Sequence, residues 1–322
     1  MSAVHPTDLA YAGGITALDV HYVRPALASS HLIFEGGRAA FVDTGTSLAV
    51  PRLLAALTEH GVGPDAVDYV FLTHIHLDHA GGAGELVRHL PRARVVVHPR
   101  GVEHLAEPSR LIKATRAVYG DAVFERLYGD IVPIARERLL ATAEDLRLEL
   151  AGRPFSFLHT PGHALHHVAI VDHGAKAVFT GDTFGISYRE FDVDGRPFVF
   201  PTTTPSQFDP DQLKDSIARI AALRPAAVFL THYGRITPVA ATAVTLARHV
   251  DRLVDIAIGS ADEPADRREQ AIAARLYEFL DAELEAHGYR GSAADRRRLL
   301  RPDVELNAQG LVVWLERRAR AP

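Results

Sequence analysis

The sequence predicts a mixed α/β (α+β) fold with a helical appendage at its C-terminal end. Three observations carry that prediction. Short apolar runs alternate with helically spaced segments over roughly the first 240 residues. Several of those runs end in polar stretches rich in His and Asp. After Pro238 the texture changes to long amphipathic helices.

The elements follow in order. HLIFEGG and RAAFVDTG, residues 31–45, read as a hairpin turning at Gly36-Gly37. VPRLLAALTEH, 50–60, has helical spacing, with Pro51 near its start and Gly61 as its stop. VDYVFLT, 67–73, is a buried type of strand; HIHLDH follows it, then a helix around GELVRHL. RVVVH, 94–98, is a further strand. From Pro99 to Tyr128 the pattern is helical, interrupted at Pro108 and Gly120. LRLELAG, PFSFLHT, HVAIVD and KAVFTGD resume the strands. PDQLKDSIARIAAL, 210–223, is a helix and AAVFLTHYG, 226–234, the last strand. The closing helices ATAVTLARHVDRLVDIAIG and DRREQAIAARLYEFLDAELEAHG, then LVVWLERRARA, have the spacing of structural or oligomer-forming elements.

Composition removes whole classes of function. The 322 residues hold 35 Lys+Arg against 40 Asp+Glu, a net charge of −5. That balance gives no general attraction to phosphate backbones or anionic lipid, so the expected partner is a small-molecule substrate, with neither nucleic acid nor membrane. With no Cys there are no disulfides, zinc fingers, iron–sulfur clusters or thiol nucleophiles. MSAVHPTDLAYAGG lacks the charged-then-apolar pattern of a signal peptide, and no apolar run approaches the ~20 residues of a membrane helix. A cytoplasmic protein is the expectation, with a homo-oligomer through the C-terminal helices as one option.

Eighteen His, several in tight groups, are the anomaly. His74-Ile75-His76-Leu77-Asp78-His79 stands directly after a strand. His74 and His76, two apart in extended chain, point to one side. Asp78 and His79 fall where the chain turns into a helix and face a second point nearby, an arrangement suited to two adjacent divalent cations. His163, Asp182 and His232 each follow an apolar strand in the same way. Together these are five His and two Asp, an all nitrogen and oxygen set suited to zinc and also acceptable to iron, manganese or cobalt.

THIHLDHAGG, TPGH, TGD and LTHYG, in that order and spacing, resemble the metallo-β-lactamase superfamily, in its glyoxalase II and lactonase-like branch. The resemblance covers about residues 20–240. It implies a four-layer αββα sandwich, with a catalytic domain over 1–238 and a mainly helical extension over 239–322. It further implies that His74, His76 and His163 hold one metal, that Asp78, His79 and His232 hold a second, and that Asp182 bridges them. Asp43 in FVDTG resembles the aspartate that orients a ligand histidine. Pro161-Gly162-His163-Ala164-Leu165-His166-His167 departs from the common PGHTxGH by Ala164 and His166, while keeping the ligand.

The expected activity is binuclear, metal-dependent hydrolysis, in which a metal-bridging hydroxide attacks the carbonyl of a carboxylic ester, lactone or thioester. Zinc is the first expectation for the two ions. Asp78, Asp182 and Tyr188 are the candidate catalytic residues. Asp182 also handles protons, and Tyr188 would hydrogen-bond the substrate carbonyl, as a tyrosine does in related lactonases. The aromatic stretch 183–205, with Phe184, Phe191, Phe198 and Phe200, either lines an apolar pocket or packs onto the sandwich. The helical insertion 99–130, with Arg100, Tyr119 and Tyr128, is a candidate lid. The alternatives are a mononuclear iron oxidoreductase resembling persulfide dioxygenases, and a phosphodiesterase, which the negative charge disfavours. A non-catalytic scaffold ranks behind these, since no ligand is missing.

Blander readings hold for the remaining features. His98 ends a strand and fits a supporting or surface role better than substrate contact. His31 belongs to the hairpin. His166 and His167 are structural or support the ligands. His5, His21, His60, His89, His104, His159, His173, His249 and His287 read as structural or exposed. Arg296-Arg297-Arg298 reads as a solvated helix face.

Overall fold

The computed structural model of the protein describes residues 7–203 and 207–320. His5 and the last two residues of the aromatic stretch, 204–205, lie outside the described residues. The chain forms two compact units.

The first unit comprises residues 1–159, 166–181 and 225–237. One sheet runs in the order β1 (Leu9–Tyr11), β2 (Ile15–Asp19), β3 (Ser29–Glu35), β4 (Arg38–Val42), β5 (Val67–Phe71), β6 (Arg94–Val97), β7 (Leu139–Ala141). β3 and β4 form the expected hairpin, Glu35 opposite Arg38. Gly36 and Gly37 both have positive φ there, the requirement of a two-residue turn matched to sheet twist. β4 through β7 are parallel, so their carboxyl ends share one edge. The second sheet contains β8 (Arg147–Leu150), β9 (Arg153–His159), β10 (Val168–Asp172), β11 (Ala177–Gly181), β14 (Ala227–Leu230) and β15 (Gly234–Ile236), ordered β15-β14-β11-β10-β9-β8. β11 and β14 are parallel to each other.

Side-chain alternation builds two cores from the first sheet. Val42, Phe71 and Val96 meet Phe157, Ile170 and Phe179 of the second sheet. Their neighbours Phe41, Val70 and Val95 face the other way, onto Leu53 and Leu57 of α1 (Val50–Glu59) and Leu86 of α3 (Ala83–His89). HIHLDH leads into the short α2 (Leu77–Ala80). The insertion folds as α4 (Pro99–Ala106), α5 (Ser109–Tyr119) and α6 (Asp121–Leu127), divided at Pro108 and Gly120 as the sequence predicts. β1, β2, β7 and β15 are absent from the sequence reading. Three of them are only three residues long, too short for alternation to register.

The second unit comprises residues 160–165, 182–224 and 238–322. It holds the hairpin β12 (Ile186–Ser187) and β13 (Val199–Phe200), with α7 (Pro210–Ala222), α8 (Val239–Ile258), α9 (Ala265–His287) and α10 (Ala293–Arg320). The helices after Pro238 therefore take two earlier segments with them. The reason lies in the aromatic stretch: Phe191 meets Tyr289 edge-on at 5.4 Å between centroids and Phe198 meets His287 at 5.5 Å. Of the arginine run expected as a solvated face, Arg297 and Arg298 are exposed, Arg297 lying 4.4 Å over the Tyr277 ring, while Arg296 is half-buried in ion pairs with Asp281 and Glu285 of α9. Among the described residues no helix is long and apolar enough to cross a membrane.

Candidate metal centre

In the first unit the ligand candidates stand at the carboxyl ends of β5 and β14. The chain leaves β5 through Leu72-Thr73-His74 and leaves β14 through Leu230-Thr231-His232. Both threonines donate their hydroxyls to one buried carboxylate, Asp43, which follows β4: Thr73 Oγ1 at 2.8 Å and Thr231 Oγ1 at 2.7 Å. The Thr73 amide adds a third bond at 2.8 Å, and His79 Nδ1 a fourth at 2.9 Å. Asp43 thus joins strands of both sheets and sets the His79 ring. The repeated LTH in the sequence is the signal from which the two threonines could have been found.

The imidazoles are held by one nitrogen and turned toward neighbouring donors with the other. His232 Nδ1 donates to the Leu27 carbonyl at 2.9 Å, and its Nε2 faces Asp78 Oδ2 at 3.2 Å. His79 Nε2 faces the same Asp78 oxygen at 3.6 Å. Asp78, His79 and His232 form one group whose donor atoms lie within 4.8 Å of one another. His74 Nδ1 meets Thr73 Oγ1 at 3.1 Å, and its Nε2 lies 2.8 Å from His76 Nδ1. Nitrogen lone pairs and carboxylate oxygens converging in this way suit a divalent cation, and the backbone and carboxylate holds fix which nitrogen is offered.

The second unit carries the other two candidates. His163 Nε2 faces Asp182 Oδ2 at 3.5 Å, and His163 Nδ1 meets the Thr202 carbonyl at 3.4 Å. Gly162, at φ +124°, lets this loop lie against α7: a Cβ there would stand 2.2 Å from the Leu213 backbone nitrogen.

A profile of the metallo-beta-lactamase superfamily matches residues 23–232. The chain belongs to the metallo-beta-lactamase superfamily. Its fold is the superfamily's sandwich of mixed sheets and helices, extended by C-terminal helices, and its activity class is that of a metal-dependent hydrolase. A metallo-beta-lactamase fold-containing protein of Sulfurisphaera tokodaii is 29% identical over 219 residues, which is 66% of this chain and 76% of that protein. The hydroxyacylglutathione hydrolase of Erwinia tasmaniensis is 31% identical over 162 residues, and the match spans 49% of each chain, about half the length of that relative. Among solved structures, a metallo-beta-lactamase family protein of Thermus thermophilus superposes with a TM-score of 0.63 at 22% identity, over 95% of this chain and 93% of that one.

Within this superfamily fold the supporting residues divide clearly. His167 stacks on His74 at 4.9 Å between centroids, and His166 lies edge-on to His76 at 5.5 Å. Both are buried. His98 caps α4, its Nδ1 accepting the Arg100 amide at 3.1 Å, and packs on His159 at 4.4 Å. Burial, then the neighbouring His159 and Arg100, push the His98 pKa down to about 4. His31 lies in the core between the sheets, edge-on to Phe179 and Phe229. Burial pushes its pKa down to about 4 against the opposing pull of Asp43.

Beside Asp78, Leu77 packs with Phe124 and Tyr128 from the helical insertion. Tyr128 shares a 2.9 Å hydrogen bond with Tyr22, and burial raises its pKa. Tyr188 is buried, and its hydroxyl donates to both oxygens of Asp303 at 2.8 Å. Its ring packs with Phe191 and Phe200, the packing alternative for the aromatic stretch. Asp303 and Asn307, which hold this stretch from α10, escaped the sequence reading. They stand in a long amphipathic helix with no motif around them.

Proposed function

We propose that this metallo-hydrolase is binuclear and cleaves a carboxylic ester, lactone or thioester. The carrying observation is the set of imidazoles held by one nitrogen, with Asp78 between His79 and His232. On this reading His74, His76 and His163 hold one ion, Asp78, His79 and His232 hold the other, and Asp182 serves both. When bound, a pair of divalent ions, zinc first among them, activates water near neutral pH and polarises a carbonyl.

The chain's own residues supply the rest. Asp43 and the Leu27 carbonyl keep the His79 and His232 rings from turning, so no reorganisation is needed as charge develops. Asp182 takes up and returns the proton lost by the attacking water. Leu77, Phe124 and Tyr128 form a buried apolar cluster that backs the turn carrying Asp78. The likeness to hydroxyacylglutathione hydrolases supports thioesters as the first compounds to try.

The test combines metal content with turnover. The purified chain is expected to carry two equivalents of divalent metal and to hydrolyse members of a panel of thioesters, lactones and aryl esters. His76→Ala and Asp182→Ala should each lower metal content and cut kcat/KM by at least ~100-fold with the fold intact. Full activity in both variants overturns the site assignment. One equivalent of iron with no hydrolysis moves the oxidoreductase alternative to the front.

A further inference from the structure

His163 is oriented by a loop, and that loop is gripped by a helix more than a hundred residues away in sequence. The grip is made by Asn307, buried at 1% exposure in α10. Its Oδ1 accepts the Thr203 amide at 2.7 Å, and its backbone carbonyl accepts the Thr203 hydroxyl at 3.2 Å. Its Nδ2 donates to the Pro201 carbonyl at 3.4 Å. Thr202, whose carbonyl meets His163 Nδ1, is thereby held on both sides. One turn away on the same helix face, Asp303 holds Tyr188 earlier in the same stretch.

The chemistry of position 307 is specific. Its helix neighbours Leu300, Val304, Ala308 and Leu311 are buried and apolar, and a buried amide among them costs stability unless its hydrogen bonds are made. Only a carboxamide of this length offers an acceptor to Thr203 and a donor to Pro201 at once. Aspartate keeps the acceptor alone; alanine keeps neither.

We propose that Asn307 is a positioning residue for His163. It sets the Pro201–Thr203 backbone so that the Thr202 carbonyl accepts a hydrogen bond from Nδ1–H and leaves Nε2 as the donor offered to a metal. The inference rests on His163 being a ligand, as proposed above. Residues that orient a ligand histidine typically change metal affinity by about 10- to 100-fold when lost.

Cobalt(II) is the probe. The full-length metal-free chain is titrated with it against a competing chelator, which reads affinity, while the visible ligand-field bands read coordination geometry. N307A should bind cobalt about 10- to 100-fold more weakly, with altered bands. N307D, which keeps the Thr203 acceptor, should recover most of the affinity. L311A, buried in the same helix outside this network, should lower the melting temperature and leave affinity and bands unmoved. A folded N307A with wild-type affinity and bands overturns the inference, as does an L311A that shifts both equally. If N307A does not fold, N307S is read in its place with the same two outcomes. H163A separates the two levels. Wild-type cobalt binding there defeats the ligand assignment itself, whereas a defective H163A beside a wild-type-like N307A defeats only the role of Asn307.

Discussion

Asp43 and His31 are buried in the same unit, and their surroundings treat them in opposite ways. Asp43 receives bonds from Thr73, Thr231 and His79. Asp43→Ala leaves those donors without an acceptor. It should cost about 3 kcal/mol or more in a urea melt and weaken metal binding roughly 10- to 100-fold in chelator competition. For His31, neither ring nitrogen has a hydrogen-bond partner among the described residues. With its folded pKa at about 4, below the ordinary 6.5, the unfolded chain takes up this proton first as pH falls. Stability from this group is thus fully present above pH 6.5, declines between 6.5 and 4, and is gone below. The window is worth roughly 3 kcal/mol. His31→Leu should flatten that part of the stability–pH curve and leave stability at pH 7 equal or higher, since an unbonded buried polar ring is removed. An unchanged acid slope in His31→Leu would assign the loss to other groups.

At the scale of elements, the β12–β13 hairpin and α10 are tied by Tyr188 and Asp303. The tie lies inside a ring cluster that includes Phe191, Phe198 and Phe200. Tyr188→Phe preserves the ring packing and takes from Asp303 the donor that meets both its oxygens. The expected loss is about 1–3 kcal/mol of stability with kcat little changed. A fall in kcat at unchanged stability would instead restore Tyr188 as a hydrogen-bond donor to substrate. The α9–α10 pair has its own latch in Arg296 with Asp281 and Glu285, which explains why that arginine is withdrawn from solvent. Buried Leu276, Leu280 and Leu284 give α9 the apolar stripe of a packed helix.

At the scale of the whole molecule, a metal that binds only the folded chain stabilises it by mass action. Free zinc at 1,000 times its dissociation constant adds about 4 kcal/mol per site. Calorimetry of the chelator-stripped chain should therefore show a lower melting temperature, restored in two steps as two equivalents of zinc return. Restoration complete at one equivalent would argue for a single strong site and against a binuclear centre. The superfamily match spans residues 23–232 and stops short of the C-terminal helices. The C-terminal helices contribute Asp303 and Asn307, which act on the loop after Asp182.

The alternation of strands and helices, the hairpin at Gly36-Gly37, the breaks at Pro108 and Gly120, and the superfamily are all legible in the chain before it folds. Each is written in a contiguous stretch: a period, a turn residue, or a motif of ligands following an apolar run. Which partners those residues meet is settled only on folding. Thr231 reaches Asp43 across 188 positions and Asn307 reaches Thr203 across 104. His31 looks like an ordinary hairpin residue until the second sheet covers it with Phe179 and Phe229. Arg296 reads as solvated until α9 brings Asp281 beside it. Threonine, asparagine and histidine carry the same hydrogen-bonding groups wherever they stand. Only chain closure over long separations selects the ones that come to hold the candidate ligands.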